Sequence, residues 1–325
     1  NTSIGFGAGD AHTTASSSVA IGYNALTAAT TGGENVAIGI AALEDNTTGT
    51  QSVAVGGYAL ANDAEGAQTA VGYKALTTNT TGDYVTAMGY NALELNTTGS
   101  SNSAFGYKAL EANTTGANST AVGKDALKAN TTGDRNTAIG VEALDANTTG
   151  TRNTAVGFAA LSANNANDCT AIGDAALIAN TTGALNTAIS RAALSSNTTG
   201  DRNTAAGVNA LAANTTGQYN TGVGVDALEA NTTANSNTAI GYEALTTSTT
   251  AQYNTAVGQS ALKNATTGDQ YNTAVGHESL KNSSTGYANV AIGAFACKST
   301  TTGYDSVALG YNALNAQTTG SRNIA

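Results

Sequence analysis

Twenty-two carboxylates, two histidines and two cysteines carry most of the side-chain chemistry available to this 325-residue chain. The carboxylates are not scattered. Asp125, Glu142, Asp226, Glu243 and Glu278 each stand two residues after a recurring glycine, and Glu44, Glu94, Glu111, Asp145 and Glu229 each stand five residues after one. Paired carboxylates can hydrolyse glycosidic bonds, one as acid and one as base or nucleophile. No segment breaks the recurrence to enclose a pair, so a solvated acidic face is expected and not an enzyme. His12 and His277 are too far apart along a regular stack to share a metal, and the Gly-Asp nonapeptide of calcium-binding rolls is absent. No cofactor and no metal are expected. Cys169 and Cys297 are the only cysteines, so there is no disulfide framework. About 7.5 coils of roughly 4.8 Å separate them, well beyond the about 7 Å that a disulfide spans. Cys297 is expected to be a free thiol that packs as a small hydrophobe.

The element that positions all of these groups is a repeat. Aligned on the aliphatic-Gly pair, the chain reads as nineteen coils of consensus N-T-A-(V/I)-G-x-x-A-L-x-x-N-T-T-G-x-x, a period of 17 residues. Residues 1–325 are expected to form one continuous solenoid and to be a segment of a longer chain, opening at position 1 of a coil and stopping at position 3 of another. Positions 2 to 4 alternate as a short strand, which puts positions 2 and 4 on one face and the Ala of position 3 on the other. Positions 4 and 9, both aliphatic, are expected to line the interior. The alanines of positions 3 and 8 are expected to let neighbouring structure approach closely. Glycine at positions 5 and 15 suits corners with unusual dihedrals or close backbone approach. Coils around Gln68 and Cys169 have 16 residues and the coil ending at Tyr271 has 18, and alignment places each change after position 15. The corner at positions 16 and 17 is therefore expected to face solvent. One coil cannot fold alone, and the short repeat lacks the helix pairs of helical solenoids. The fold class expected is all-β, a parallel β-solenoid or β-roll of nineteen 17-residue coils.

An exposed corner makes position 17 the column to watch. It holds Arg135, Arg152, Arg202, Tyr84, Tyr219, Tyr253 and Tyr271. Arg and Tyr are the side chains enriched at binding hot spots. Position 6 adds Tyr23, Tyr73, Tyr90, Tyr107, Tyr242 and Tyr311. Such side chains also simply cover apolar surface. The Asn-Thr-Thr arm contains ten N-x-T glycosylation sequons, at Asn46, Asn79, Asn96, Asn113, Asn130, Asn147, Asn180, Asn197, Asn214 and Asn231. Stacked asparagines at a corner would form hydrogen-bond ladders, which explains the column without a glycan. Threonine arrays can also order water, but adjacent threonines on a strand would point to opposite faces.

The stretches Ser18-Val19-Ala20-Ile21-Gly22, Ser52-Val53-Ala54-Val55-Gly56 and Ser306-Val307-Ala308-Leu309-Gly310 resemble the head repeat of YadA-like trimeric autotransporter adhesins. The longer unit with its N-T-T-G arm is similar to repeats of bacterial surface and tail-fibre proteins. The resemblance covers essentially the whole chain. It implies a left-handed roll, a homotrimer or filament of identical chains, and an adhesive or spacer role on a cell surface or virion, outside the cell. The receptor would be an unknown host-surface molecule or glycan. The alternative is a solenoid that binds glycan or ice through its exposed Thr, Tyr and Arg columns. A net charge of −10 argues against nucleic acid, and no apolar run suggests membrane insertion.

Overall fold

The computed structural model describes residues 1–63, 66–266 and 268–325. Among these residues the regular elements are nineteen three-residue strands, from β1 (Thr2–Ile4) to β19 (Val307–Leu309), and no helix occurs. Each strand occupies positions 2 to 4 of its coil. Contacts divide the chain into Asn1–Asn165, which ends its strand series at β10 (Thr154–Val156), and Ala166–Ala325, which begins its series at β11 (Thr170–Ile172). Within each unit successive strands pair in parallel, equivalent residue on equivalent residue. Thr120, Ala121 and Val122 face Thr137, Ala138 and Ile139 in the first. Thr238, Ala239 and Ile240 face Thr255, Ala256 and Val257 in the second. The protein is an all-β parallel β-solenoid with a 17-residue coil.

The same one-coil offset carries the backbone hydrogen bonds outside the strands. Asp125 N–H donates to Tyr107 C=O at 2.9 Å, Leu110 N–H to Ala126 C=O at 3.0 Å and Thr114 N–H to Thr131 C=O at 3.0 Å. Backbone donors that would otherwise need water are thus paired between coils.

The interior differs from the sequence expectation at one column. From Leu26 to Leu280 the leucine of position 9 is fully buried, as expected, but position 4 is not: Ile139, Ile172 and Ile240 are each 41% exposed. The buried strand residue is the alanine of position 3, with Ala121, Ala138 and Ala239 at 0%. Alanine at position 8 is buried beside it, so neither alanine column is available to a second chain. The reason is width. A Cβ built on Gly222, the one glycine at position 3, lies 3.3 Å from Leu211 Cγ and 3.2 Å from Ala227 C=O. Space inside the coil ends at that Cβ, so branched aliphatics must turn outward.

Position 9 also shows why the buried column is Leu and never Ile or Val. Its φ lies at 49–54° in the leucines and at 48° in Cys297. Side chains branched at Cβ are outliers in this left-handed region, whereas Leu branches one atom further out. Positions 7 and 17 are left-handed as well, and outside the first coil neither column contains glycine.

The length changes fall in the Thr-Thr arm and not after position 15. In the 18-residue coil Asp269 C=O receives Asn254 Nδ2 at 2.8 Å, the role that Gly116 C=O plays for Asn102, so the extra residue precedes Asp269. Gly66 and Ala67 keep the places of positions 16 and 17, with Ala67 at φ 61°, so that deletion also precedes them. The third change is repaired by a side chain. Asn165 Oδ1 accepts from Thr148 N–H at 3.1 Å, Thr149 N–H at 2.9 Å and Gly150 N–H at 3.2 Å. Elsewhere one Thr carbonyl does this, as Thr131 C=O does for Thr114, Thr115 and Gly116. In that coil an amide side chain replaces the backbone acceptor of the ladder.

Candidate ligand-contact surface

The sequon asparagines are interior. All ten are fully buried. Asn113 Nδ2 donates to Asn96 Oδ1 at 2.7 Å and to Gly116 C=O at 2.9 Å. The asparagine of position 1 converges on the same carbonyl, Asn102 Nδ2 lying 2.7 Å from Gly116 O. Its Oδ1 accepts from Ser119 N–H at 2.9 Å. Two amide ladders and a glycine carbonyl therefore fill one half of the coil, and Leu and Ala fill the other. A glycan on Asn113 would have to break two hydrogen bonds and leave a closed interior, so the ladder reading accounts for this column.

Cys169 replaces a position 1 asparagine and keeps its contact, Sγ donating to Gly183 C=O at 3.2 Å. Burial pushes its thiol up to about 11. Cys297 occupies a leucine site, buried, and both cysteines remain free thiols.

Several carboxylates of positions 7 and 10 meet lysines on the outer face. Lys74 Nζ lies 3.1 Å from Glu94 and Lys263 Nζ 2.6 Å from Glu243. Lys281 and Lys298 approach Glu278 at 2.6 and 2.7 Å and hold its carboxyl at about 2. Lys124 and Lys128 flank Asp125 at 2.8 and 3.6 Å. Burial raises the Glu229 carboxyl, helped by Asp226 and Glu243. His12 lies in the first unit with Nδ1 3.2 Å from Asn1 Nδ2, and His277 in the second packs edge-on against Phe295, centroids 5.0 Å apart. Among the described residues no three His, Cys, Asp or Glu side chains are grouped so as to hold a metal ion.

Position 17 is exposed at each residue singled out from the sequence. Arg135, Arg152, Arg202, Tyr84, Tyr219, Tyr253 and Tyr271 all lie on the surface, with φ between 56° and 61°. Side-chain contacts join neighbours in the column. Arg202 Nη1 donates to Tyr219 Oη at 3.2 Å and its guanidinium sits 5.4 Å from that ring's centroid. Tyr253 and Tyr271 stack at 5.1 Å, 2° from parallel. Arg135 and Arg152 occupy consecutive coils of the first unit, whereas Tyr84 stands between the small residues Ala67 and Ser101 in its column.

The tyrosines of position 6 form a second ladder. Tyr73, Tyr90 and Tyr107 stack at 5.5 and 5.4 Å, with Lys74 and Lys108 over the outer two rings at 5.9 and 5.7 Å. Stacking along the coil axis covers the ring faces and presents edges and hydroxyls. A sugar that needs an open aromatic face finds one only at the end of such a row. The sequence reading missed Tyr287 and Tyr304, which stack at position 16 at 5.0 Å and 1°. Reading position 16 as its own column would have found them. A shallow cleft of about 280 Å³ is lined by Ser16, Thr31, Gly33, Glu34, Thr50 and Gln51 at these same corners.

Neither the family models nor the curated proteins searched match this chain.

Proposed function

We propose that this chain is a structural and adhesive fibre segment displayed outside the cell, on a cell surface or virion, whose chains associate side by side. The observation that carries this reading is the outward strand face. Positions 2 and 4 contain no charged residue in any of the nineteen coils, in a chain with twelve basic and twenty-two acidic side chains. The aliphatics of position 4 nevertheless stand half-exposed along every unit. Ranks repeated in exact register give an identical chain a matching periodic surface. About ten ranks of on the order of 100 Å² each reach the roughly 800 Å² per partner of a stable interface. Parallel, in-register homotrimers suit this face and agree with the adhesin-like repeats. The route differs from the sequence expectation, because the alanine columns lie inside each coil and the Thr-aliphatic face takes their place.

The test inserts charge into the face. Ile139→Lys and Ile172→Lys each leave the interior untouched, so circular dichroism is expected to be unchanged. In sedimentation equilibrium the native chain is expected to be an oligomer at micromolar concentration and the double variant a monomer. A native chain that is monomeric across that range refutes self-association and hands the face to the alternative, a glycan- or ice-binding surface.

A further inference from the structure

Tyrosine is the dominant oxidisable side chain on this surface. The chain has thirteen tyrosines, one methionine, no tryptophan and two cysteines. Both cysteines are buried, and burial keeps the Cys169 thiol protonated. A thiol is readily oxidised only as an accessible thiolate, so neither competes well for an oxidant. One-electron oxidation of the folded chain therefore falls on exposed phenols.

The phenols are not equivalent. A cation held over a ring withdraws electron density and opposes removal of an electron. Lys74 lies over Tyr73, Lys108 over Tyr107, Arg202 over Tyr219 and Arg322 over Tyr304. Tyr253 and Tyr271 stack at 5.1 Å and 2° from parallel, with no cation among the described contacts of either ring. They are 48% and 60% exposed, and each side chain leaves a left-handed corner, at φ 61° and 58°.

We propose that Tyr253 and Tyr271 are a site of oxidative phenol coupling, joined by a peroxidase-type oxidant with hydrogen peroxide as the terminal acceptor. Each phenol gives up one electron and one proton. The two phenoxyl radicals form a carbon–carbon bond between ring positions ortho to oxygen, and the displaced ring protons return to the oxygens. One peroxide is reduced to two waters and the product retains both hydroxyls. The rings must swing from face-to-face to edge-to-edge, which exposed side chains on one corner can do. The bond would join the corners on either side of the only 18-residue coil, Asn254–Tyr271, and so staple the place where the repeat is irregular.

The test treats the full chain with peroxidase and peroxide at a dilution where chains do not meet, so its outcome is independent of self-association. The expected product is a chain two hydrogens lighter, with dityrosine fluorescence and a first-formed peptide crosslink between Tyr253 and Tyr271. Tyr271→Phe, an exposed and conservative change, is expected to abolish that crosslink and remove most of the early fluorescence. Urea-unfolded chain is expected to show no preference among its tyrosines. Early crosslinks led by Tyr73–Tyr90 or Tyr287–Tyr304, an undiminished yield in Tyr271→Phe, or the same pattern in urea would each overturn the proposal.

Discussion

Gly123→Ala is expected to lower the stability of the first unit by about 3 kcal/mol or more, seen as a drop in the urea midpoint. Gly123 has φ +135°, and a Cβ there would lie 2.5 Å from Gly140 O and 2.7 Å from Gly140 C. Both atoms are backbone of the next coil, and that coil is held by the ladder above it. No rotamer relieves the contact, so relief requires the stack to open. Two comparisons separate contact from conformation. Gly310 has φ +126° with nothing within 4 Å of its Cβ position, so Gly310→Ala is expected to cost only the conformational part. The chain contains its own substitution at Ser190, whose φ is +105° where position 5 glycines lie at +126° to +147°. Ser190→Gly is accordingly expected to stabilise its unit. Equal losses at Gly123 and Gly310 would remove the inter-coil clash from the account.

A larger and pH-dependent effect is expected at Asp269. Its carboxyl is fully buried in the 18-residue coil, where Ala265 replaces the interior asparagine of position 12. Asn272 Nδ2 reaches Oδ1, while Oδ2 has no hydrogen-bond partner. Burial pushes the carboxyl up to about 7 from 3.8, against the pull of nearby Ser283 and Asn272. A carboxyl whose folded value is raised binds its proton more tightly in the folded state than in the unfolded chain. Its stabilising contribution is thus complete below the unfolded value and is lost as pH rises from about 4 through about 7, at most about 4 kcal/mol. Asp269→Asn stays neutral throughout. The urea midpoint of the native second unit is expected to fall between about pH 4 and about pH 8, and that fall is expected to shrink in the variant. At the alkaline end the variant is expected to be the more stable of the two. Identical pH profiles would show that Asp269 does not titrate from a buried site.

Much of this was legible in the sequence, and the failures have a common cause. The recurrence of Gly at 17-residue intervals and the Leu column located the coil, its strand and half of its interior. Burial by hydrophobicity alone then misplaced position 4, because Ile139 outranks Ala138 as a core residue wherever there is room for it. Here the coil is so narrow that a Cβ at position 3 already touches the leucine column. Width is a property of the closed coil and is absent from any single strand. The left-handed corners were equally hidden. Positions 7 and 17 hold Lys, Glu, Arg and Tyr where glycine is the usual signal, and only the exclusion of branched side chains from position 9 pointed to φ above zero. At the surface, the exposure of the Arg and Tyr corner followed from tolerance of length change, although the changes themselves lie in the arm before it. Tyr253 and Tyr271 were legible as members of one column, whereas their stacking was seen only in the folded coil. Asn165, whose amide replaces a backbone carbonyl, could be recognised only once its three N–H donors were in place.

The central claim is that chains meet through the outward face of the strands and not through the alanines. Disulfide trapping tests both halves at once, in a chain whose Cys169 and Cys297 have been replaced by serine and alanine. Ile139→Cys is exposed on the proposed face, and its neighbour Ala138→Cys points into the coil. In a parallel, in-register assembly the same residue of adjacent chains comes together. Mild oxidation is expected to give disulfide-linked chain pairs from Ile139→Cys, while Ala138→Cys stays reduced and unreactive to thiol reagents until urea is added. Linked pairs from Ala138→Cys, or none from Ile139→Cys at concentrations where the chain is oligomeric, would contradict it.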